Sequence, residues 1–149
     1  MKFKTILVPL DGSALAEAAI PPAVELARDG ATLVLLRAAE AHPLPTADPT
    51  EAQVTVVREA EDYLAAVAER VKTAGVAQVE TSVWYGPPAE AIADAARFRT
   101  ADLIVMNSHG RSGLGRLVLG SVAESVLRAT ATPILLLRAG AVPEEASHV

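Results

Sequence analysis

Two short segments concentrate the residues with chemical reach. The first is Val8-Pro9-Leu10-Asp11-Gly12-Ser13, an acid, a glycine and a hydroxyl at the end of an apolar run. The second is Met106-Asn107-Ser108-His109-Gly110-Arg111-Ser112-Gly113-Leu114-Gly115-Arg116, which continues through Leu117-Val118-Leu119 to Gly120-Ser121. Glycines let backbone approach an anion closely and turn its N–H groups inward. Ser121 stands where a helix is expected to open, and the unpaired N–H groups and dipole of a helix start favour negative charge. Arg111 and Arg116 add positive charge nearby. The pattern suits a phosphate. It equally suits a loop in which Ser121 is an N-cap and the arginines are solvated. Asp11 suits a ribose or a magnesium-bound water, and suits equally a cap on the first helix shared with Ser13.

Other chemistries are excluded by their missing patterns. There is no G-x-x-x-x-G-K-[ST], and Gly110-x-x-Gly113-x-Gly115 is not the dinucleotide fingerprint G-x-G-x-x-G. No G-x-S-x-G is present, and Ser108-His109 has no identifiable third group, so His109 reads as a loop-ordering donor and not a general base. The absence of cysteine removes disulfides, thiol nucleophiles and thiolate zinc sites. Three scattered histidines argue against a histidine metal site.

These segments must be held by a framework, and 149 residues suit one domain. The chain is 51% hydrophobic with a net charge of −5, a composition that buries a core and gives no general attraction to nucleic acid or anionic membrane. Its aromatic content of 3% leaves little for stacking bases. No apolar run approaches the roughly 20 residues that span a bilayer, and the N-terminus lacks the apolar stretch of a signal peptide. A cytoplasmic location is expected.

Five runs read as strands: 6–10, 32–37, 79–84, 103–106 and 134–137. Four are nearly continuous apolar runs, as in parallel strands covered on both faces. The third alternates, with Glu80 and Ser82 between Val79, Thr81 and Val83, and is expected at an edge. Between them lie helical patterns over 14–28, kinked at Pro21-Pro22, and over 51–74, 87–98 and 122–129. Thr50-x-x-Gln53 and Ser121-x-x-Glu124 read as capping boxes. The alternation of strand and helix predicts an α/β fold with right-handed crossovers, whose ligands bind beyond the carboxyl ends of strands where the strand order reverses. The proline-rich loop 41–49 is expected to be mobile and the tail 140–149 disordered, which leaves 1–139 as the folded domain.

From Ile6-Leu7-Val8-Pro9-Leu10-Asp11-Gly12-Ser13 to Pro133-Ile134-Leu135-Leu136-Leu137 the sequence resembles the universal stress protein family, over nearly the whole chain. The most specific part runs from Ser108-His109-Gly110-Arg111 to Gly120-Ser121-Val122-Ala123-Glu124. The nucleotide-binding branch of that family is marked by Gly, two residues, Gly, nine residues, then Gly-Ser or Gly-Thr. Here Gly110, nine residues and Gly120-Ser121 match, while Asn107 stands in the place of the first glycine. Asparagine tolerates left-handed backbone better than most residues.

The resemblance implies a single open, five-stranded parallel sheet of order 3-2-1-4-5 with helices on both faces, Rossmann-like. It implies ATP, with Mg2+, as the ligand. Pro9 and Asp11 would line the ribose and phosphate side, and Ala38, just after the second strand, would face adenine through its backbone. Met106, Asn107, Gly110, Gly120 and Ser121 would cradle the remainder, joined by Arg111 and Ser112. For Ala38 and Met106 ordinary core packing explains the residue as well. It also implies a homodimer, and the apolar fifth strand, at an edge, has backbone groups that a second copy would pair. The expected role is a nucleotide-dependent stress-response module with an unidentified protein partner. The alternatives are a slow ATPase or phosphotransferase, and a dimeric interaction protein that binds no nucleotide.

Overall fold

The structure, a computed structural model, describes residues 2–42, 44–108 and 119–138. The chain alternates strand and helix: β1 (Thr5–Leu10), α1 (Ala14–Glu17), α2 (Ile20–Ala27), β2 (Thr32–Ala39), α3 (Pro49–Thr73), β3 (Gln78–Tyr85), α4 (Pro88–Phe98), β4 (Leu103–Asn107), α5 (Ser121–Ala129) and β5 (Ile134–Leu137). The strands form one parallel sheet in the order β3-β2-β1-β4-β5. From β1 the chain winds outward to β2 and β3, then crosses back to β4 and β5. The strand order therefore reverses between β1 and β4.

Alternation along each strand divides the core into two layers. Ile6, Val8, Leu33, Leu35, Leu103 and Val105 face one side, where α1, α2 and the second half of α3 cover them with Ala16, Val24, Leu64 and Val71. Leu7, Val34, Leu36, Ile104 and Met106 face the other, under Ile92 and Ala95 of α4 and Ala123 and Val126 of α5. Both faces are buried, which is why β1, β2 and β4 read as unbroken apolar runs. β3, at the edge, buries less, as its alternating sequence predicts.

Three of the helix starts that differ from the sequence expectation have a local cause. The helix expected over 14–28 is two helices, because prolines cannot donate to the preceding turn; Pro21 and Pro22 instead occupy the first turn of α2. α3 opens at Pro49 because the carboxylate of Asp48 accepts from the Thr50 N–H at 2.9 Å, displacing the expected Thr50 box. At α5 the cap is Gly120, so Ser121 is the first helical residue and not the N-cap. Glu124 reaches forward to Arg128 at 3.2 Å instead of back to a box.

Candidate functional site

The carboxyl ends of β1, β2 and β4 open into a cavity of about 630 Å³. That volume lies within the roughly 300–1,000 Å³ of small-molecule sites. It sits at the reversal of strand order, where an open α/β sheet leaves a crevice because neighbouring connections depart to opposite faces.

On the β1 side, Asp11 shapes the turn into α1. Its Oδ1 accepts from the Ser13 N–H at 2.9 Å and from the Ser13 hydroxyl at 2.5 Å. Ser13 Oγ in turn accepts from the Ala16 N–H at 3.1 Å, so Ser13 is the helix cap and Asp11 braces it. Gly12 between them has φ +86°, a conformation that glycine adopts without strain. Pro9 and Asp11 both line the cavity.

On the β2 side the strand runs to Ala39, two residues beyond the expected end, so Ala38 is inside the strand and not after it. Pairing with β1 stops at Leu10↔Arg37, while pairing with β3 continues to Ala39↔Tyr85. Ala38 thus lies where β2 extends beyond the end of β1, with no strand opposite it on the β1 side. That arrangement can present backbone polar groups to a flat heterocycle.

On the β4 side Met106 packs in the core layer beneath α4 and α5 and also lines the cavity. Asn107 is buried, and its Nδ2 donates to the Leu15 carbonyl at 2.8 Å. The tolerance of asparagine for left-handed backbone is not used at Asn107. It is a strand residue paired with Leu137, and among the described non-glycine residues only Thr100 has positive φ. An extended backbone needs no glycine, and the amide ties β4 to the loop side of α1.

Ser108 and Gly120 are joined through backbone hydrogen bonds. The Ser108 N–H donates to the Leu137 carbonyl at 2.7 Å, and the Gly120 N–H donates to the Ser108 carbonyl at 2.7 Å. Gly120 is extended (φ −68°, ψ 163°) and offers no side chain to cap α5. The first turn of α5, with Ser121, Val122 and Ala123, borders the cavity. A helix start with orphan N–H groups and no side-chain cap suits an anion. Gly110, Arg111 and Ser112 lie outside the described residues, as do His109, Gly113 and Arg116.

The cavity brings together Pro9, Asp11, Ala38, Met106, Asn107, Gly120 and Ser121. It also contains residues that sequence reading missed. Arg37, Glu40 and Glu59 place charge in the wall, and Val56 adds apolar surface. The signal for Arg37 was available: it is the one charged residue in Thr32-Leu33-Val34-Leu35-Leu36-Arg37-Ala38-Ala39. Val56 and Glu59 arise from the length of α3. Its 25 residues extend about 37 Å, against about 26 Å for the eight-residue β2, so its first half overhangs the carboxyl edge. Among the described residues no group of three or more His, Cys, Asp or Glu could hold a metal ion. Magnesium bound mainly by phosphates needs only one or two carboxylates, and Asp11 provides one at the end of β1.

The comparisons with known proteins bear on the family and the fold. A profile of the universal stress protein family matches residues 2–138. A Thermus aquaticus protein described as the universal stress protein in the QAH/OAS sulfhydrylase 3′ region is 37% identical over 139 residues, covering 91% of this chain and 99% of that protein. Universal stress protein UspA from Lactobacillus plantarum superposes with a TM-score of 0.79 at 28% identity, over 93% of this chain and 99% of that one. A universal stress protein solved in complex with cAMP gives a TM-score of 0.63 at 28% identity, over 94% of this chain and 100% of that one. Profile, sequence and sheet order all agree, and this chain belongs to the universal stress protein family.

Proposed function

We propose that this chain binds an adenine nucleotide, ATP with Mg2+, in the cavity at the reversal of strand order, and that occupancy governs its interactions in a stress response. The observation that carries the reading is the convergence of a turn acid, a strand extending past its neighbour and an uncapped helix start on one cavity of nucleotide size. A family member in complex with cAMP supports an adenine ligand.

In this reading Ala38 meets the base edge through its backbone, while Pro9 and Asp11 line the sugar. Asn107, Gly120 and Ser121 form the described part of the phosphate cradle, and Gly110, Arg111 and Ser112 belong to its remainder. Met106 supplies the apolar floor. Asp11 would hold a magnesium ion, which would neutralise phosphate charge. Regulation by occupancy needs a second surface to read the state. We assign that role to a homodimer paired through the exposed edge of β5, with a further protein partner.

Calorimetric titration of ATP and Mg2+ into the parent and Gly120→Val tests the site. The backbone of Gly120 lies in a region open to valine, so the fold should survive. A branched side chain at the helix start blocks close approach of a phosphate, and affinity should fall at least about tenfold. Equal affinity in both proteins would remove the α5 start from the site.

A further inference from the structure

We propose that Arg37 is a second anion-binding point of the cavity, so that the preferred ligands are adenine nucleotides with a phosphate on the 2′ or 3′ side of the ribose as well as at the 5′ end. The inference rests on the nucleotide reading above and adds the ligand class.

Arg37 is the one Lys or Arg among the described residues that line the cavity. Its guanidinium lies over the Tyr63 ring, 5.0 Å from the centroid. That platform is itself fixed, because the Tyr63 hydroxyl donates to Glu17 Oε2 at 2.5 Å and Arg70 donates to Glu17 Oε1 at 3.1 Å. A guanidinium held over one aromatic ring keeps N–H donors for an oxyanion. Among the described residues Arg37 makes no ion pair and no hydrogen bond, although Asp11, Glu40 and Glu59 line the same cavity. A half-buried cation positioned by an aromatic face, with its edge donors unused, suits a bidentate oxyanion.

Its place in the fold specifies where that oxyanion is. A Cβ on Gly12 would lie 3.1 Å from Arg37 Nη1, so the guanidinium packs against the turn that carries Asp11. The α5 start lies across β1, on the β4 side. β1 separates β2 from β4, so Arg37 and the α5 start stand on opposite sides of β1, with Asp11 at its end between them. A ribose beside Asp11 with phosphates on both sides meets both. Tyr63 is then a positioning residue that touches no ligand.

The test is calorimetric titration of AMP, adenosine 3′,5′-bisphosphate and its 2′,5′ isomer into the parent, Arg37→Gln and Tyr63→Leu. The parent should bind one bisphosphate at least about tenfold more tightly than AMP, as expected for a charge-assisted pair. Arg37→Gln should abolish that preference, weakening the bisphosphate at least about tenfold and AMP much less, and Tyr63→Leu should reduce it. A parent that binds AMP with no preference, or an Arg37→Gln variant that keeps the preference or loses AMP binding equally, overturns the assignment of Arg37 alone. A parent that binds none of the three overturns the nucleotide reading and this inference with it. Unaltered circular dichroism of Tyr63→Leu separates loss of preference from loss of fold.

Discussion

Asn107 shows how a residue can match a motif position and do different work there. Placed where the family pattern has glycine, it reads from sequence as a backbone device. In the fold it is an extended strand residue whose buried amide holds the Leu15 carbonyl. A glycine there would remove that buried hydrogen bond, leaving the Leu15 carbonyl with the Ala18 N–H at 3.2 Å, and add backbone freedom to a strand. Asn107→Gly is therefore expected to destabilise the protein by about 1–3 kcal/mol in urea unfolding. An unchanged midpoint would mean that the hydrogen bond contributes nothing. Ser121 is a similar case: its type suggests a cap, yet Gly120 takes that position and leaves the helix start without a side chain over it. Neither distinction is legible from residue type, because both depend on where one strand ends and the next helix begins. Arg37 was legible as an oddity in an apolar strand, but its platform was not. Tyr63 and Glu17 come from two different helices and meet only in the folded chain. Burial, the hydrogen bond to Glu17 and the charge of that carboxylate hold the Tyr63 phenol well above its ordinary range, so the ring remains neutral across physiological pH.

Among the elements, α3 divides into halves with different duties. Ala60, Leu64, Val67, Ala68 and Val71 are buried against the sheet, whereas none of residues 49–59 is buried. Core packing fixes the second half and leaves the first to form a wall of the cavity. Leu64→Ala, at a fully buried position, is expected to cost about 2–5 kcal/mol. Val54→Ala, 49% exposed, is expected to change stability by less than about 0.5 kcal/mol. Urea unfolding of the two variants checks the contrast, and comparable losses would show that the overhang is packed as tightly as the rest. The strands themselves were legible because both faces are buried and the pattern is continuous. The ends were less so: β2 exceeds its apolar run by two residues, since Ala38 and Ala39 pair with β3 after β1 has stopped. Small residues at a strand end carry no signal of which neighbour continues, and that asymmetry is what exposes Ala38 to the cavity. The break between α1 and α2 had a visible cause in Pro21-Pro22, but its place depended on where the prolines could join a first turn.

For the whole molecule, sheet order decides both the site and the free edges. Winding out from β1 in two directions puts β3 and β5 at the edges and the crevice between them. Four apolar residues in β5 made an edge interface readable as a possibility. The structure refines how to test the proposed homodimer: Ile134 and Leu136 pack against the core beneath α4 and α5, whereas Leu135 is 38% exposed. Leu135→Lys should thus leave the fold intact and shift a dimeric parent toward monomer in light scattering, through like charges brought together at a two-fold axis. A monomeric parent, or a dimer indifferent to the lysine, would remove this interface. The topology follows from the order of patterns, while the cavity depends on the length of α3, the unequal ends of β1 and β2 and the closure of Ser108 on Gly120. The length of α3 was legible from its pattern. The strand ends and the closure of Ser108 on Gly120 were not, because these apolar runs do not mark which neighbour continues the pairing. The most direct test of ligand position is titration of the isotope-labelled protein with ATP and Mg2+, observed at each backbone amide by NMR. The amides of Asp11, Ala38, Gly120 and Ser121 should shift together and saturate at one equivalent, and shifts confined to β5 or α2, or no shifts at all, would contradict a nucleotide site at the reversal of strand order.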